Sequence, residues 1–444
     1  MSASSTSSPQ ALFFKNVRLV DPASGRDGLG TLLVENGLIK ALDVDEGNVP
    51  PHAEIIDGQG WVLCPGLVDF RASLCEPGFE YRETLQSGSQ AAVAGGVTTM
   101  GVEPTTMPVV DTPALAMFIR QRGHEIGLTT LVPLGAMTKS CAGAEMAEIG
   151  MMKAAGAMAF TDGPRAVPNA KQMRNIMAYA QFLDALLVLH PQETAFSKGA
   201  SATSSPLAVR LGLRQVPAAA EAMQVQRDVQ LAAMTGARIH FADISTRGAL
   251  AHIRQAKAEG IQVSCDTSPP YFAMTEVAIE GFRTYAKLTP PLRTEDDRAA
   301  VVEGLADGTI DVVTSSHTPA DADDKRLPFG DALPGGTGLA TLLGVTLDAS
   351  GLPLLEALAL LTTRPAKLMG VEAGTMAPGR PADLCLFNPE EAWQVVAGQL
   401  PGLAQNTPFD GWTLKGVVKG TWRHGKAVYK SADKSSQLEG SQTA

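Results

Sequence analysis

His190, Asp243 and Asp162 have the side chains whose types could hold a metal ion. An imidazole and two carboxylates make an open ligand set that leaves a position for water and can activate it as hydroxide. Arg71 competes for the same atoms. A guanidinium repels a cation, so an ion pair from Arg71 to Asp243 or Asp162 is the plainer use of these groups, with Glu103 as a further partner. Cys75 would need a paired His and an orienting group to act as a nucleophile, and its neighbourhood supplies neither. Ser316 and His317 suggest a hydrolase pair, but neighbours on a strand point to opposite faces and cannot meet directly. His240 and His317 are expected to be buried and satisfied by backbone carbonyls, and Asp69 to be a structural acceptor. Glu76, Glu80 and the charged run from Asp321 to Arg326 are expected to be solvated loop residues.

The elements that must position these residues alternate along the chain. Short apolar runs at residues 62–70, 97–102, 129–134, 157–160, 186–190, 237–241, 262–265 and 310–314 are strand-like. Amphipathic stretches at 83–94, 142–155, 170–185, 221–235, 247–259 and 296–306 are helical. Alternation of this kind predicts parallel strands joined by crossover helices, and eight strands suit a TIM barrel, an α/β fold. Before and after it lie short alternating runs separated by Gly, Asn and Asp turns, which predict two halves of a small β-sandwich. The expected organisation is a disordered tail at 1–10, a first β half at 11–61, the barrel at 62–370, a second β half at 371–431 and a tail at 432–444.

The chain has 444 residues, 45% of them hydrophobic, and a formal charge of -10. It is large enough for one barrel plus a smaller unit. A net acidic surface without a Lys/Arg cluster argues against nucleic acid or an anionic membrane as partner. Five scattered cysteines without a C-x-x-C pair support neither a disulfide framework nor a cysteine zinc site. No export signal or membrane span is legible, so a cytoplasmic protein is expected.

Several short motifs narrow this further: Gly95-Gly96-Val97-Thr98-Thr99, Ser245-Thr246, Pro290-Pro291-Leu292-Arg293, Asp307-Gly308-Thr309-Ile310-Asp311, Pro365-Ala366-Lys367, Gly379 to Leu384, and Asn406-Thr407-Pro408-Phe409. Their order and spacing resemble the cyclic amidohydrolases, most closely dihydroorotase. The resemblance implies a TIM barrel whose chemistry uses zinc and a carboxylate that moves a proton. It also implies a changed site. Arg71 and Ser73 stand where that family has His-x-His, Cys75 where it has an Arg, and Thr105 where it has an Asn. Asp243 replaces the second His of the sixth strand, and Ser316 the Asp of the eighth.

From these changes the expectation is a pseudoenzyme with no cofactor. The resemblance implies a non-catalytic subunit in pyrimidine biosynthesis that assembles with an aspartate carbamoyltransferase catalytic chain, as a hetero-oligomer that could reach a dodecamer. Two alternatives stand beside it. One is a metal-dependent cyclic amide hydrolase with a reduced site of His190, Asp243 and Asp162. The other is a small-molecule sensor that uses Arg71 at the barrel mouth as an anion anchor.

Overall fold

The computed structural model describes residues 11–431. The two tails expected from the sequence lie outside the described residues. The β unit is one hydrogen-bonded sheet of eight strands built from both ends of the chain. Ala11–Asp21, Arg26–Glu35, Leu38–Leu42, Glu54–Asp57 and Val62–Pro65 come from the first segment, and Leu384–Gln394, Thr413–Arg423 and Lys426–Lys430 from the last. Val62–Pro65 is the seam: it runs parallel to Ala11–Asp21 and antiparallel to Leu384–Gln394. Alternation in Ala11–Asp21 turns Leu12, Phe14, Val17 and Leu19 into a common core with Leu384, Leu386 and Trp422.

The sequence predicts one strand over 62–70, and the structure divides it. The break is at Gly66, whose N–H leaves the sheet to reach the Asp383 carbonyl at 2.8 Å. A side chain could not sit there, because a Cβ would stand 2.2 Å from Thr98 Oγ1. The first half of the apolar run therefore belongs to the β unit and the second half to the barrel.

Eight parallel strands form that barrel: Leu67–Ala72, Val97–Val102, Thr130–Pro133, Ala159–Phe160, Leu186–Leu189, Ile239–Phe241, Val263–Thr267 and Val312–Val313. Continuous ladders join the first three and the last five, and bridges from Gly135 to Phe160 and from Ala72 to His317 close the ring. Strands buried on both faces need apolar residues on both, which is why these runs are continuous rather than alternating. Val68, Phe70, Val132, Leu134, Leu186, Val188 and Val312 pack inside with Ala366 and Met369 of the helix Thr363–Met369.

Helices start where caps allow. Leu85–Ala94 opens on Thr84 in a capping box with Ser87, and Arg247–Ala258 opens on Thr246, whose side chain accepts from Ala249 N. The helix predicted over 142–155 shortens to Ile149–Ala154. Gly143, at φ 71, turns the preceding stretch into a loop. No helix among the described residues is long and apolar enough to cross a membrane.

Candidate active site at the barrel mouth

The first barrel strand ends in an irregular ladder, with a register shift between Asp69 and Ala72. Asp69 is buried there as the structural acceptor expected, bound by Thr314 Oγ1 at 2.8 Å and Ser315 N at 2.9 Å, and so ties the first strand to the eighth. Arg71 follows, 5% exposed, and meets three carboxylates. Its Nε and Nη2 donate to the two oxygens of Asp266 at 3.1 Å each. Nη2 also lies 2.7 Å from Asp243 Oδ1, and Nη1 lies 3.3 Å from Glu103 Oε1. Glu103 Oε2 accepts from Ser73 Oγ at 3.0 Å.

The second layer completes the network. The Asp243 N–H donates to Asp266 Oδ1 at 2.7 Å, and Ser316 Oγ donates to Asp243 Oδ2 at 3.2 Å. His240 sits between Ser264 Oγ at 2.8 Å and Asp266 Oδ2 at 3.0 Å. Cys75, Asp243 and Ser316 all adopt positive φ, at 57, 52 and 47°, where the chain turns out of the strands. Non-glycine residues occupy that region rarely, so these bends are built into the mouth.

The charges follow from this packing. Burial pushes the Asp243 carboxyl above its ordinary range, against the pull of Arg71. Burial acts on Asp266 too, but Arg71 and the His240 hydrogen bond outweigh it and hold Asp266 low. Burial, with Arg71 nearby, lowers His190 to about 3, so its imidazole is neutral. Its Nε2 is buried without a hydrogen-bond partner. His190 lines the mouth cavity, about 310 Å³, together with Arg71, Ser73, Cys75, Thr105, Asp243 and Ser316. An adjoining cavity of about 580 Å³ shares His190, Arg165 and Thr289.

Several expectations change on these distances. Asp162 does not pair with Arg71. Its Oδ1 accepts from Met137 N and Thr138 N, each at 2.9 Å, and its Oδ2 from Thr138 Oγ1, so it caps a loop. The three-residue metal set is thereby broken. Among the described residues no group of three or more His, Cys, Asp or Glu is arranged to hold a metal ion. The residues present do not fit zinc, because the guanidinium fills the space between the carboxylates.

Arg71 is no anion anchor either, since carboxylates surround it. Cys75 is no nucleophile: burial pushes its thiol up to about 12. His240 and His317 are buried, but backbone carbonyls are not their partners. His240 uses side chains, and His317 Nδ1 accepts from Gly338 N at 3.3 Å while Nε2 faces Glu83 at 3.7 Å. The charged run at 321–326 forms the short helix Ala322–Arg326, with Lys325 buried and donating to the carbonyls of Leu333 and Gly335 at 2.7 Å each. Sequence reasoning missed Asp266 as the main partner of Arg71. The two lie 195 residues apart, and no local signal links them.

Residues 60–249 match the family described as Dihydro-orotase-like, and residues 286–429 match the Amidohydrolase family. A protein named dihydroorotase from Syntrophus aciditrophicus is 39% identical over 422 residues, covering 94% of this chain and 99% of that one. One of the same name from Syntrophotalea carbinolica is 40% identical, covering 95% of this chain and all of the other. Among solved structures, the L-hydantoinase (dihydropyrimidinase) of Arthrobacter aurescens superposes with a TM-score of 0.84 at 25% identity, over 95% of this chain and 96% of that one. The dihydropyrimidinase of Brevibacillus agri shares the fold at a TM-score of 0.78 and 20% identity.

These relatives overturn the expectation of a chain that is not an enzyme, because end-to-end relatives bear an enzyme's name. The physical reason is that the changed ligand positions remove one route of chemistry and leave a carboxylate, an imidazole and a hydroxyl around an accessible cavity. Matching motifs, architecture and full-length identity lead to one conclusion: the chain belongs to the dihydroorotase family of amidohydrolases.

Proposed function

We propose that this chain acts in pyrimidine biosynthesis on a cyclic amide of the dihydroorotate type, bound at the barrel mouth and handled without a metal ion. The observation that supports this most is the unpartnered Nε2 of His190 in an accessible cavity, in a chain that aligns end to end with proteins named dihydroorotase. Ring opening needs water at the carbonyl carbon, a proton taken from that water, and a proton delivered to the ring nitrogen as the C–N bond breaks. Neutral His190 takes the first proton. The protonated His190 then delivers that proton to the ring nitrogen, and Asp243, a carboxylate held by Arg71 and Ser316, orients the attacking water. An imidazole that binds its proton weakly is a poor base, so turnover is slow beside metal-hydroxide chemistry.

The test is purified full-length protein with dihydroorotate and a chelator, with the product followed by chromatography. Slow ring opening that survives chelation and is lost in Asp243→Asn is the expected result. Hydrolysis no faster than in buffer would overturn the proposal.

Partnership with an aspartate carbamoyltransferase catalytic chain is a second proposal. It is favoured by the preservation of nearly the whole scaffold, 95% of the chain, around a mouth whose ligand positions have changed. Co-elution of the two chains after co-expression is expected, and separate peaks under all conditions would exclude the partnership.

A further inference from the structure

We infer that the cavity adjoining the mouth receives a carboxylate carried on the ring substrate, with Lys287 and Arg165 as the cations that bind it. This cavity, about 580 Å³, is lined by both side chains and by Gln192, and it meets the mouth at His190 and Thr289. Lys287 is 6% exposed and held in place. Its carbonyl accepts from Gly335 N at 2.9 Å, and its Nζ donates to the Gly330 carbonyl at 2.8 Å and lies 5.7 Å from the centre of the Phe329 ring. An ammonium has three protons to donate, and this one has a single acceptor. Arg165 is exposed, and its Nη1 donates to the Cys141 carbonyl at 3.3 Å. Neither cation joins an ion pair among the described residues. Asp331 lines the cavity too, but it is exposed and pairs with neither. A second, independent observation comes from Gln192, 5% exposed, whose Nε2 is buried without a hydrogen-bond partner.

The mouth itself has no such place, because Arg71 is already surrounded by three carboxylates. In a chain of formal charge -10, two cations without carboxylate partners and an amide donor around one cavity point to an anionic ligand. Burial lowers the Lys287 ammonium below the usual lysine range, and an anion beside it would offset that cost. A carboxylate suits the pair, since its two oxygens can accept from an ammonium and a guanidinium at once. The inference rests on the cyclic amide reading proposed above: the ring lies at His190 and its carboxylate reaches Lys287.

The experiment is calorimetric titration of the full chain, Lys287→Met and Arg165→Gln. The ligands are dihydroorotate, dihydrouracil, which is the same ring without the carboxylate, and inorganic phosphate. The native chain is expected to bind dihydroorotate about tenfold more tightly than dihydrouracil, or better. Lys287→Met is expected to weaken dihydroorotate by about tenfold to a hundredfold, the scale of hydrogen bonds to charged groups. Arg165→Gln, at an exposed position, is expected to weaken it by about twofold to fivefold. Both variants should leave dihydrouracil unchanged, which a general loss of structure would not.

Equal binding of the two rings by the native chain would overturn the inference, and so would equal losses of both rings in the variants. Phosphate binding that is lost in both variants while dihydroorotate binding stays would assign the cations to a free anion, and would overturn it as well. If Lys287→Met fails to fold, Arg165→Gln decides: a loss confined to dihydroorotate supports the inference, and no loss or an equal loss overturns it. Dihydroorotate that binds through its carboxylate but is never opened would sink the proposed reaction and leave this subsite standing. Ring opening with an affinity indifferent to the carboxylate would do the reverse, and a native chain that binds neither ring would overturn both.

Discussion

Inside the barrel, Val68 and Phe70 are buried against Val132, Val188 and Met369. One residue further along the same strand, Arg71 is also buried, among Glu103, Asp243 and Asp266. The apolar interior is held by contacts without direction, which depend on volume and tolerate many sequences. The mouth is held by a few charges whose partners must all be present, since removing one leaves the others buried and uncompensated. The interior therefore tolerates substitution more readily than the mouth does.

The largest effect expected is for Arg71→Met in metal-free buffer. Three carboxylates would lose their common cation, and unfolding in urea should show a loss of about 3–5 kcal/mol. Phe70→Ala should cost a similar or slightly smaller amount, about 3–5 kcal/mol, through the cavity it leaves. The two are separated by pH. Asp266 is held low in the folded state, at about 2, so its stabilising contribution is present above the ordinary carboxylate range and is lost as the pH falls from that range through the folded value. Without Arg71 the folded carboxylates bind protons more readily. The deficit of Arg71→Met should then shrink on acidification while that of Phe70→Ala stays flat; parallel curves would erase the distinction between the two regions.

Asp266→Asn sharpens the comparison within the mouth. It removes the bidentate partner of Arg71 and the acceptor of His240, and should cost about 2–3 kcal/mol, the scale of hydrogen bonds to charged groups. At the small end, Arg210→Ala breaks an ion pair with Glu280 that is exposed on both sides, 67% and 62%. A change above about 1 kcal/mol there would contradict the view that charges matter here through burial.

The sequence by itself determined the architecture. Eight apolar runs separated by amphipathic stretches appear as eight parallel strands and their helices, because burial on both faces writes itself locally into composition. It also determined which residue types stand at the mouth, including Arg71 and its pairing with Asp243 and Glu103. Only tertiary structure decided the rest. Gly66 became a junction between two units because Asp383 and Thr98, both distant in sequence, crowd it. Asp162 was drawn away from Arg71 by two backbone N–H groups of a neighbouring loop. Asp266 became the principal partner of Arg71 across 195 residues. Hydrophobic periodicity is a property of neighbours along the chain, whereas the choice among carboxylates for one guanidinium is set by where strand ends converge, and that convergence exists only once the barrel has closed.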